Sequence, residues 1–498
     1  MTASSYDAVS YPGYAYEQTH PDRLATQATL FGMSPAPPVA CRVLEIGAGD
    51  GGNLIPMALG LPGSEFVGID LAAAPVARGV ALIDELALTN VALRVADILE
   101  LPADLGPFDY VIAHGVYSWI PPQPRDALVA ACGRLLAPQG VAYISYNAYP
   151  GSYLRDMASD ILSFHLQGVG EPAERMARAR HLMALVVAAN ARTPYAGVLR
   201  EHFERVLQHP DPLLYHDDLA EINTPVYFHE FVAHAARHGL QFLAEARLHD
   251  SQLHELPEDV ARELGRLPED AVLREQYIDF VVNRMFRQTL LCRDDVALDR
   301  ELDARRLGGM AFAAPLAIDR SAAGEEPTFT GRRGVSFQPG RRRLTAALEV
   351  IAAAWPRAVS FERLAANLDV AARERLGSEL LEIHAAGVLD LHAHPPAPAA
   401  VPGDRPVASP LARRQALAGR DRVTSLRHAS VRLEDPLAAY LLSLLDGSRD
   451  RDDLAAAIGE YIEGGGLDGT GVEPPPGEPA AAIDAGLARL AELSLLVA

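Results

Sequence analysis

Short apolar runs alternate with helix-compatible segments over residues 41–151. The predicted strands are 43–46, 65–69, 91–95, 108–113 and 140–145. Because strands and helices alternate, this part of the chain predicts a parallel, doubly wound sheet. Ligands of such sheets bind at the carboxyl ends of the strands.

The pattern becomes helical after Gly151, where apolar residues recur near i, i+3 and i+4. The predicted helices are 154–166, 172–190 and 195–208. We expect residues 152–222 to form a helical insertion above the active face of the sheet. It could serve as a lid, a substrate platform or a dimer contact.

Two more strands follow the insertion. An apolar run at 240–248 comes after a helix-like segment at 229–238, and a second run covers 285–292. These are expected to be the sixth and seventh strands of the sheet. The predicted core is therefore 41–151 together with 223–298, and the expected fold class is α/β.

A weak repeat of three helices and a closing strand occurs twice beyond residue 300. The predicted helices are 344–355, 360–368, 373–386, 436–445, 450–458 and 480–493, with closing strands at 387–391 and 494–497. This pattern predicts two winged-helix-like α+β domains, 299–392 and 407–498, joined by a Pro/Ala linker at 393–406. We expect ligand binding at the sheet to survive removal of residues after about 400, because the sheet closes near Cys292.

The charge and composition of the chain exclude several classes of function. The 498-residue chain has a formal net charge of −21, which disfavours nonspecific nucleic-acid binding and mildly favours a cationic partner. It contains no lysine, which excludes a P-loop lysine, a Schiff-base lysine and a lysine general base. The codon bias of a GC-rich genome is the favoured explanation of this absence, and the alternative is an enzyme that modifies lysines and cannot modify itself.

Localisation follows from what the chain lacks. No apolar stretch approaches the ~18 residues of a membrane span, and the three cysteines have no CxxC spacing. Scattered cysteines indicate a reducing compartment and no thiolate metal site. We therefore expect a cytoplasmic protein with no membrane span, no nucleic-acid partner and no bound metal.

The first strand runs directly into a glycine loop with glycines at 47, 49 and 52. Glycines let the backbone approach a ligand, and the N–H groups of the following helix are free to bind it. The spacing alone also fits a dinucleotide site. Asp70 and Asp97 end the next two strands, where carboxylates can accept from ribose hydroxyls and from an adenine amine. The predicted cofactor-binding residues are Glu45, Gly47, Gly49, Asp50, Asn53, Asp70, Leu71, Asp97, Ile98 and His114.

Glu45-Ile-Gly-Ala-Gly49, Asp70 and Asp97 resemble the glycine-loop motif and two acidic motifs of class I S-adenosylmethionine-dependent methyltransferases. Four segments are similar to the bacterial subfamily with a methyltransferase regulatory domain, which includes protein-lysine methyltransferases that act on outer-membrane proteins. They are His114-Gly-Val-Tyr-Ser-Trp-Ile-Pro121, Ser145-Tyr-Asn-Ala-Tyr-Pro-Gly151, Tyr227-Phe-His-Glu-Phe231 and Arg284-Met-Phe-Arg-Gln-Thr-Leu-Leu291.

The resemblance implies a Rossmann-like sheet with an antiparallel seventh strand, and S-adenosyl-L-methionine as the cofactor. It also implies in-line methyl transfer to lysine side chains of a protein or peptide. In many methyltransferases a segment before the sheet covers the cofactor and the substrate, and residues 1–40 contain Tyr6, Tyr11, Tyr14 and Tyr16. The alternative that these tyrosines pack over the sheet edge stays open.

Four residues at strand ends are the predicted catalytic set: His114, Tyr117, Asn147 and Tyr149. With Trp119 they could form an aromatic wall with a few polar acceptors, which suits the apolar stem and the charge of a lysine. His114 could accept a proton or only form structural hydrogen bonds. The run 216–218 reads as helix termini, since it lacks the spacing of a metal motif.

Two other functions fit the same motifs. One is a small-molecule N- or O-methyltransferase, and the other is a non-catalytic cofactor-binding regulatory protein. The intact glycine loop and both acids argue against the second, and the large C-terminal modules favour a macromolecular substrate. The helical insertion could also mediate a homodimer.

Overall fold

The computed structural model describes residues 13–102, 105–189, 193–251, 256–267, 270–320, 326–433, 435–466 and 479–497. Tyr6 and Tyr11, which the sequence analysis singles out, lie outside these residues.

A seven-stranded sheet forms the centre of the N-terminal half. Its strands are β1 Arg42–Ile46, β2 Glu65–Asp70, β3 Val91–Val95, β4 Phe108–Ala113, β5 Leu136–Asn147, β6 Leu240–Glu245 and β7 Phe286–Arg293. The strand order is β3-β2-β1-β4-β5-β7-β6, and β7 runs antiparallel to both of its neighbours. This confirms the predicted sheet and its reversed last strand. The strand order changes direction between β1 and β4, where ligands of such sheets bind.

Alternate residues of the strands divide between two apolar cores, because successive side chains point to opposite faces. Val43 and Tyr110 belong to one core, and Leu44 and Val111 to the other. The helices of the first face are Pro21–Leu30, Leu54–Gly60 and Ala73–Glu85, and those of the second are Pro122–Leu135 and Phe228–Ala236. Helices Glu258–Leu264 and Ala271–Val282 connect β6 to β7.

The insertion after β5 is helical, as expected. Its helices are Tyr153–His165, Pro172–Ala189 and Pro194–Val206, followed by a short helical segment, Asp211–Leu213, and a π-helix, Leu214–Asp218. The three helices and the π-helix share a core of their own that includes Leu162, Met183, Phe203 and Leu214. Thr193 caps the third helix through the amide of Ala196, and Pro194 occupies its first position.

The middle unit contains helices Arg342–Ala354, Phe361–Leu364 and Val370–Ala385. The strands β8 Ala311–Ala313, β12 Val359–Ser360 and β13 Asp390–His392 form one sheet, and β9 Ala317–Asp319, β10 Thr328–Thr330 and β11 Ser336–Phe337 form another that the sequence did not suggest. The second helix is shorter than predicted, because Asn367 takes a φ of 66° and the chain leaves the helix. The middle unit packs into the first core of the main sheet.

The C-terminal unit has its own core. Its helices are Pro410–Leu417, Pro436–Leu444, Arg451–Glu463 and Pro479–Glu492, with a hairpin of β14 Arg422–Thr424 and β15 Ser430–Arg432. The strand predicted at 494–497 is reduced to one bridge between Ala408 and Leu496. Within the described residues, no helix is both long and apolar enough to cross a bilayer.

Candidate active site

A cavity of about 820 Å³ opens at the carboxyl ends of β1, β2 and β4. All ten predicted cofactor-binding residues line it, and so do Trp119 and Asn147. Tyr14 and Tyr16 of the N-terminal segment also line it, which favours the covering role over simple packing at the sheet edge. The helical insertion supplies the remaining wall.

The glycine loop approaches the cavity through positive φ angles. Gly47 has a φ of 77°, and a Cβ there would lie 2.5 Å from Cγ2 of Val116. Gly49 has a φ of 54°, and no atom lies within 4 Å of where its Cβ would be. The loop is tied to β2, since the amides of Gly47 and Ala48 donate to the Ile69 carbonyl at 2.8 and 3.0 Å. A ligand can therefore reach the backbone at Gly49 without meeting a side chain.

Two carboxylates face the cavity from β2 and from the turn after β3. Oδ2 of Asp70 accepts from the Gly49 amide at 2.8 Å, and Oδ1 accepts from Ala72 at the same distance. Burial raises the pKa of Asp70, while these amides oppose that shift. Oδ1 of Asp97 accepts from the Leu99 amide at 2.9 Å. Each carboxylate keeps lone pairs for a polar ligand.

Asn53 joins three parts of the chain beside the glycine loop. Its Nδ2 donates to Oε1 of Glu45 at 2.7 Å, and its Oδ1 accepts from the Tyr16 amide at 3.0 Å. Nε2 of His428, in the C-terminal unit, lies 2.8 Å from the same Oδ1. Burial raises the pKa of Glu45 to about 8, so this side chain is neutral near pH 7. Asn53 therefore lines the cavity, and its side-chain amide also forms hydrogen bonds within the protein.

His114 lies at the end of β4 between two tyrosines. Its Nδ1 lies 2.9 Å from the Tyr143 hydroxyl, and its ring contacts that of Tyr16, with centroids 3.8 Å apart and the planes inclined by 32°. Burial lowers the pKa of His114 to about 4. A histidine that holds its proton so weakly is a poor general base for an amine. The position of His114 makes it part of the cavity wall.

Two predicted catalytic tyrosines lie outside the cavity. Tyr117 is 2% exposed, packs on Phe231 and places its hydroxyl 2.9 Å from Nδ1 of His234. Tyr149 donates to Oδ2 of Asp156 at 2.7 Å and stacks on another tyrosine of the insertion. Their placement at the substrate is therefore corrected. The short 3-10 turn after β4 aims Tyr117 into the core and leaves Trp119 at the cavity.

The first helix and the end of the insertion contribute polar residues that the sequence analysis missed. Arg155, His209, Asp217 and Asp218 all line the cavity, so the interpretation of 216–218 as helix termini was incomplete. Arg155 lies 3.8 Å from Oδ1 of Asp218 and over the ring of Trp119 at 5.1 Å. In the sequence, the two successive acids just before the chain returns to the sheet are the signal that could have indicated Asp217 and Asp218.

The three cysteines are buried free thiols. Within the described residues, one group has the spacing of metal ligands, Asp126 with His234 and His238, and it lies outside the cavity wall. Nε2 of each histidine is 3.0 Å from Oδ1 of Asp126, and Arg237 lies 4.0 Å from it. Hydrogen bonds satisfy this group and the arginine adds positive charge, so we assign it no metal.

Three family models match the chain. "Methyltransferase domain" covers residues 43–140, "Predicted methyltransferase regulatory domain" covers 210–293, and "PKMT, C-terminal winged helix domain" covers 404–493. The structure of PKMT2 from Rickettsia typhi in complex with AdoHcy superposes with a TM-score of 0.87 at 26% identity, over 98% of this chain and 100% of that one.

Two curated relatives come from Rickettsia prowazekii (strain Madrid E). RP789 is 37% identical over 60% of this chain and 54% of its own length, so the chain spans about half of that relative. RP028 is 34% identical over 48% of this chain and 96% of its own length. The sheet, the ten cavity residues and these matches all indicate the same family. The chain belongs to the S-adenosylmethionine-dependent methyltransferases that carry a methyltransferase regulatory domain and a PKMT-type C-terminal winged helix domain.

Proposed function

We propose that the protein transfers a methyl group from S-adenosyl-L-methionine to lysine side chains of a protein or peptide. The observation that carries the proposal is the single cavity, in which the glycine loop and two acids lie beside a second wall of aromatic and charged residues. A methyl donor and a side chain that accepts it can meet there. The relative PKMT2 supports the lysine, since PKMT denotes a protein-lysine methyltransferase.

The first wall fits the cofactor. Asp70 can accept from ribose hydroxyls, while Asp97 can accept from the adenine amine with Ile98 against the ring. The open space at Gly49 lets the amino-acid portion of the cofactor approach the backbone of the glycine loop closely. When bound, S-adenosylmethionine supplies a methyl group that its sulfonium makes electrophilic.

The residues of the second wall must align an amine and exclude water. The lysine ammonium loses one proton to solvent, and its nitrogen then forms a bond to the methyl carbon as the bond from carbon to sulfur breaks. Desolvation favours the neutral amine that this step requires. Nδ2 of Asn147 donates to Asn223 at 2.7 Å, so its own Oδ1 can accept from the amine. His114 and Trp119 close the sides, and such alignment supplies much of the rate enhancement.

A macromolecular acceptor suits the rest of the chain better than a small metabolite does. The insertion lines the cavity, and the middle and C-terminal units add folded surface beyond it that a small substrate would not need. The net charge of −21 favours a cationic partner over a nucleic acid. The three buried free thiols support action in a reducing compartment such as the cytoplasm.

Labelled methyl transfer tests the proposal. The protein is incubated with S-adenosylmethionine labelled in its methyl group and a lysate of the source organism, after which protein and small-molecule fractions are separated. We expect methyllysine in hydrolysates of the protein fraction. Label confined to a metabolite would replace the proposal with the small-molecule alternative, and no transfer to either fraction would favour the regulatory one.

A matched pair of variants links that label to the cavity. Asp70→Asn should abolish most of the label, because it weakens the contacts to the ribose. Asp84→Asn changes an exposed acid on the neighbouring helix and should leave the label unchanged. Equal label from the two variants would separate the activity from this site.

A further inference from the structure

The inner wall of the cavity is built by the last turn of the helical insertion. The π-helix Leu214–Asp218 ends there, and it directs two successive acids, Asp217 and Asp218, toward the cavity. Arg155 holds this turn, because its guanidinium donates to the backbone carbonyl of Asp217 at 2.8 Å. The position of both carboxylates is therefore set by the fold of the insertion.

The two acids differ in their partners. Asp218 is almost fully buried, with Arg155 3.8 Å from its Oδ1 and Nδ1 of His209 2.8 Å from its Oδ2. Within the described parts of the chain, no salt bridge or side-chain hydrogen bond is formed by the carboxylate of Asp217, which is half-buried. Burial raises the pKa of Asp217 to about 6, against the opposing effect of Arg155. A half-buried carboxylate without a partner gains a charge-assisted contact when it meets a cation.

Asp217 also lies within electrostatic reach of the cofactor wall. Burial raises the pKa of Tyr16, and the charge of Asp217 is the largest charge effect that adds to this shift. The ring of Tyr16 contacts that of His114 beside the glycine loop. A cation bound at Asp217 would thus lie between the insertion and the wall where the methyl group is presented. Aromatic rings on one side and a carboxylate on the other suit an alkylammonium group.

We propose that Asp217 binds the ammonium group of the acceptor lysine and selects a cationic acceptor over neutral side chains. This inference rests on the proposed lysine methyltransferase function and assigns it a specificity-determining residue. Asp217 holds the charged form of the amine before its proton leaves. Asp218, already neutralised by Arg155 and His209, keeps the turn in place.

The test uses the full chain and three variants. Asp217→Asn removes the charge and keeps the shape, and Asp217→Ser is a second variant in case the first does not fold. Asp211→Asn is the matched control, because Asp211 is an acid of the same insertion that is 62% exposed and pairs with Arg180. Two peptides are compared, one with a central lysine and one with norleucine, the uncharged side chain of similar shape.

We expect wild type and the Asp211 variant to bind the lysine peptide ~10- to 100-fold more tightly than the norleucine peptide, as a charge-assisted contact provides. The Asp217 variants should lose this preference and raise KM for the lysine peptide by a similar factor. Their affinity for S-adenosylhomocysteine should stay within about twofold of wild type, as should their affinity for the norleucine peptide.

The outcomes separate the two proposals. If wild type methylates lysine and the Asp217 variants keep the preference for lysine over norleucine, Asp217 is not the ammonium site. If wild type transfers no label to lysine in any peptide or protein, the proposed function fails and this inference fails with it. Loss of S-adenosylhomocysteine binding in both Asp217 variants would instead make the residue structural and also overturn the inference.

Discussion

Replacing His428 with alanine tests whether the C-terminal unit helps to shape the cofactor site. His428 lies in the turn of the β14–β15 hairpin and is 4% exposed. Burial lowers the pKa of His428 well below its ordinary value, so the ring is neutral and its Nε2–H can donate to Asn53 at 2.8 Å. Asn53 in turn holds the amide of Tyr16, which lines the cavity.

The magnitude follows from these contacts. One neutral hydrogen bond contributes about 0.5–1.5 kcal/mol, and the space left by a buried imidazole adds roughly 1–2 kcal/mol. We therefore expect His428→Ala to lower the free energy of unfolding by about 2–3 kcal/mol. Oδ1 of Asn53 still accepts from Tyr16, so S-adenosylhomocysteine binding should weaken only about two- to fivefold, or at most about 1 kcal/mol.

Calorimetric titration with S-adenosylhomocysteine and thermal unfolding measure the two effects. The control is Arg414→Ala, which breaks an exposed pair with Glu85 at the same junction and should change both quantities little. A His428 variant that melts and binds like wild type would refute the coupling. A chain ending at residue 400 that binds S-adenosylhomocysteine as tightly as the full chain would also refute it, whereas the sequence alone predicts only that such a chain still binds cofactor.

Three further predictions concern other parts of the chain. Asp70→Asn should weaken S-adenosylhomocysteine binding by about 1–3 kcal/mol through loss of charge-assisted hydrogen bonds, and unchanged calorimetric affinity would contradict its ribose role. The pKa of Glu45 rises from 4.5 to about 8 on folding, so the folded chain retains a proton that the unfolded chain has lost, and stability falls as pH rises through that window. In urea titrations without cofactor, the free energy of unfolding of Glu45→Gln should therefore rise relative to that of wild type by up to about 4 kcal/mol from about pH 5 to about pH 8. Parallel pH curves for the two proteins would show that Glu45 ionises normally. Phe164 and Tyr195 of the insertion are 76% and 84% exposed, and this surface could mediate a homodimer. If it does, the double variant Phe164→Ser with Tyr195→Ser should sediment as a monomer in sedimentation velocity. A monomeric wild type would refute this prediction.

The predicted cofactor wall depended on residues that are close in sequence or at equivalent strand ends. Gly47 and Gly49 follow β1 directly, and Asp70 and Asp97 follow β2 and β3. Parallel strands bring their carboxyl ends to one edge, so a correct strand assignment is enough to assemble these residues. For this reason all ten predicted residues lie on one cavity.

Side-chain direction in turns was not determined by the local pattern. Tyr117 and Trp119 lie in the same 3-10 turn, yet one enters the core and the other faces the cavity. Tyr149 is likewise drawn away by a hydrogen bond to Asp156. Turns have no fixed periodicity that assigns a face, so packing against neighbouring elements decides these positions.

The sequence by itself determined the sheet, the glycine loop, the two strand-end acids and the helical character of the insertion and C-terminal units, because each depends on a local period or motif. Only the tertiary structure decided that Asp217 faces the cavity and that His428 contacts Asn53 across 375 residues. It also decided that the segment near residue 393 is held by Asp22, which accepts from the His394 amide. Such contacts join separate units, and the hydrophobic pattern of each unit is complete without the other. No local period therefore predicts these contacts, and only the packing of the whole chain brings the residues together.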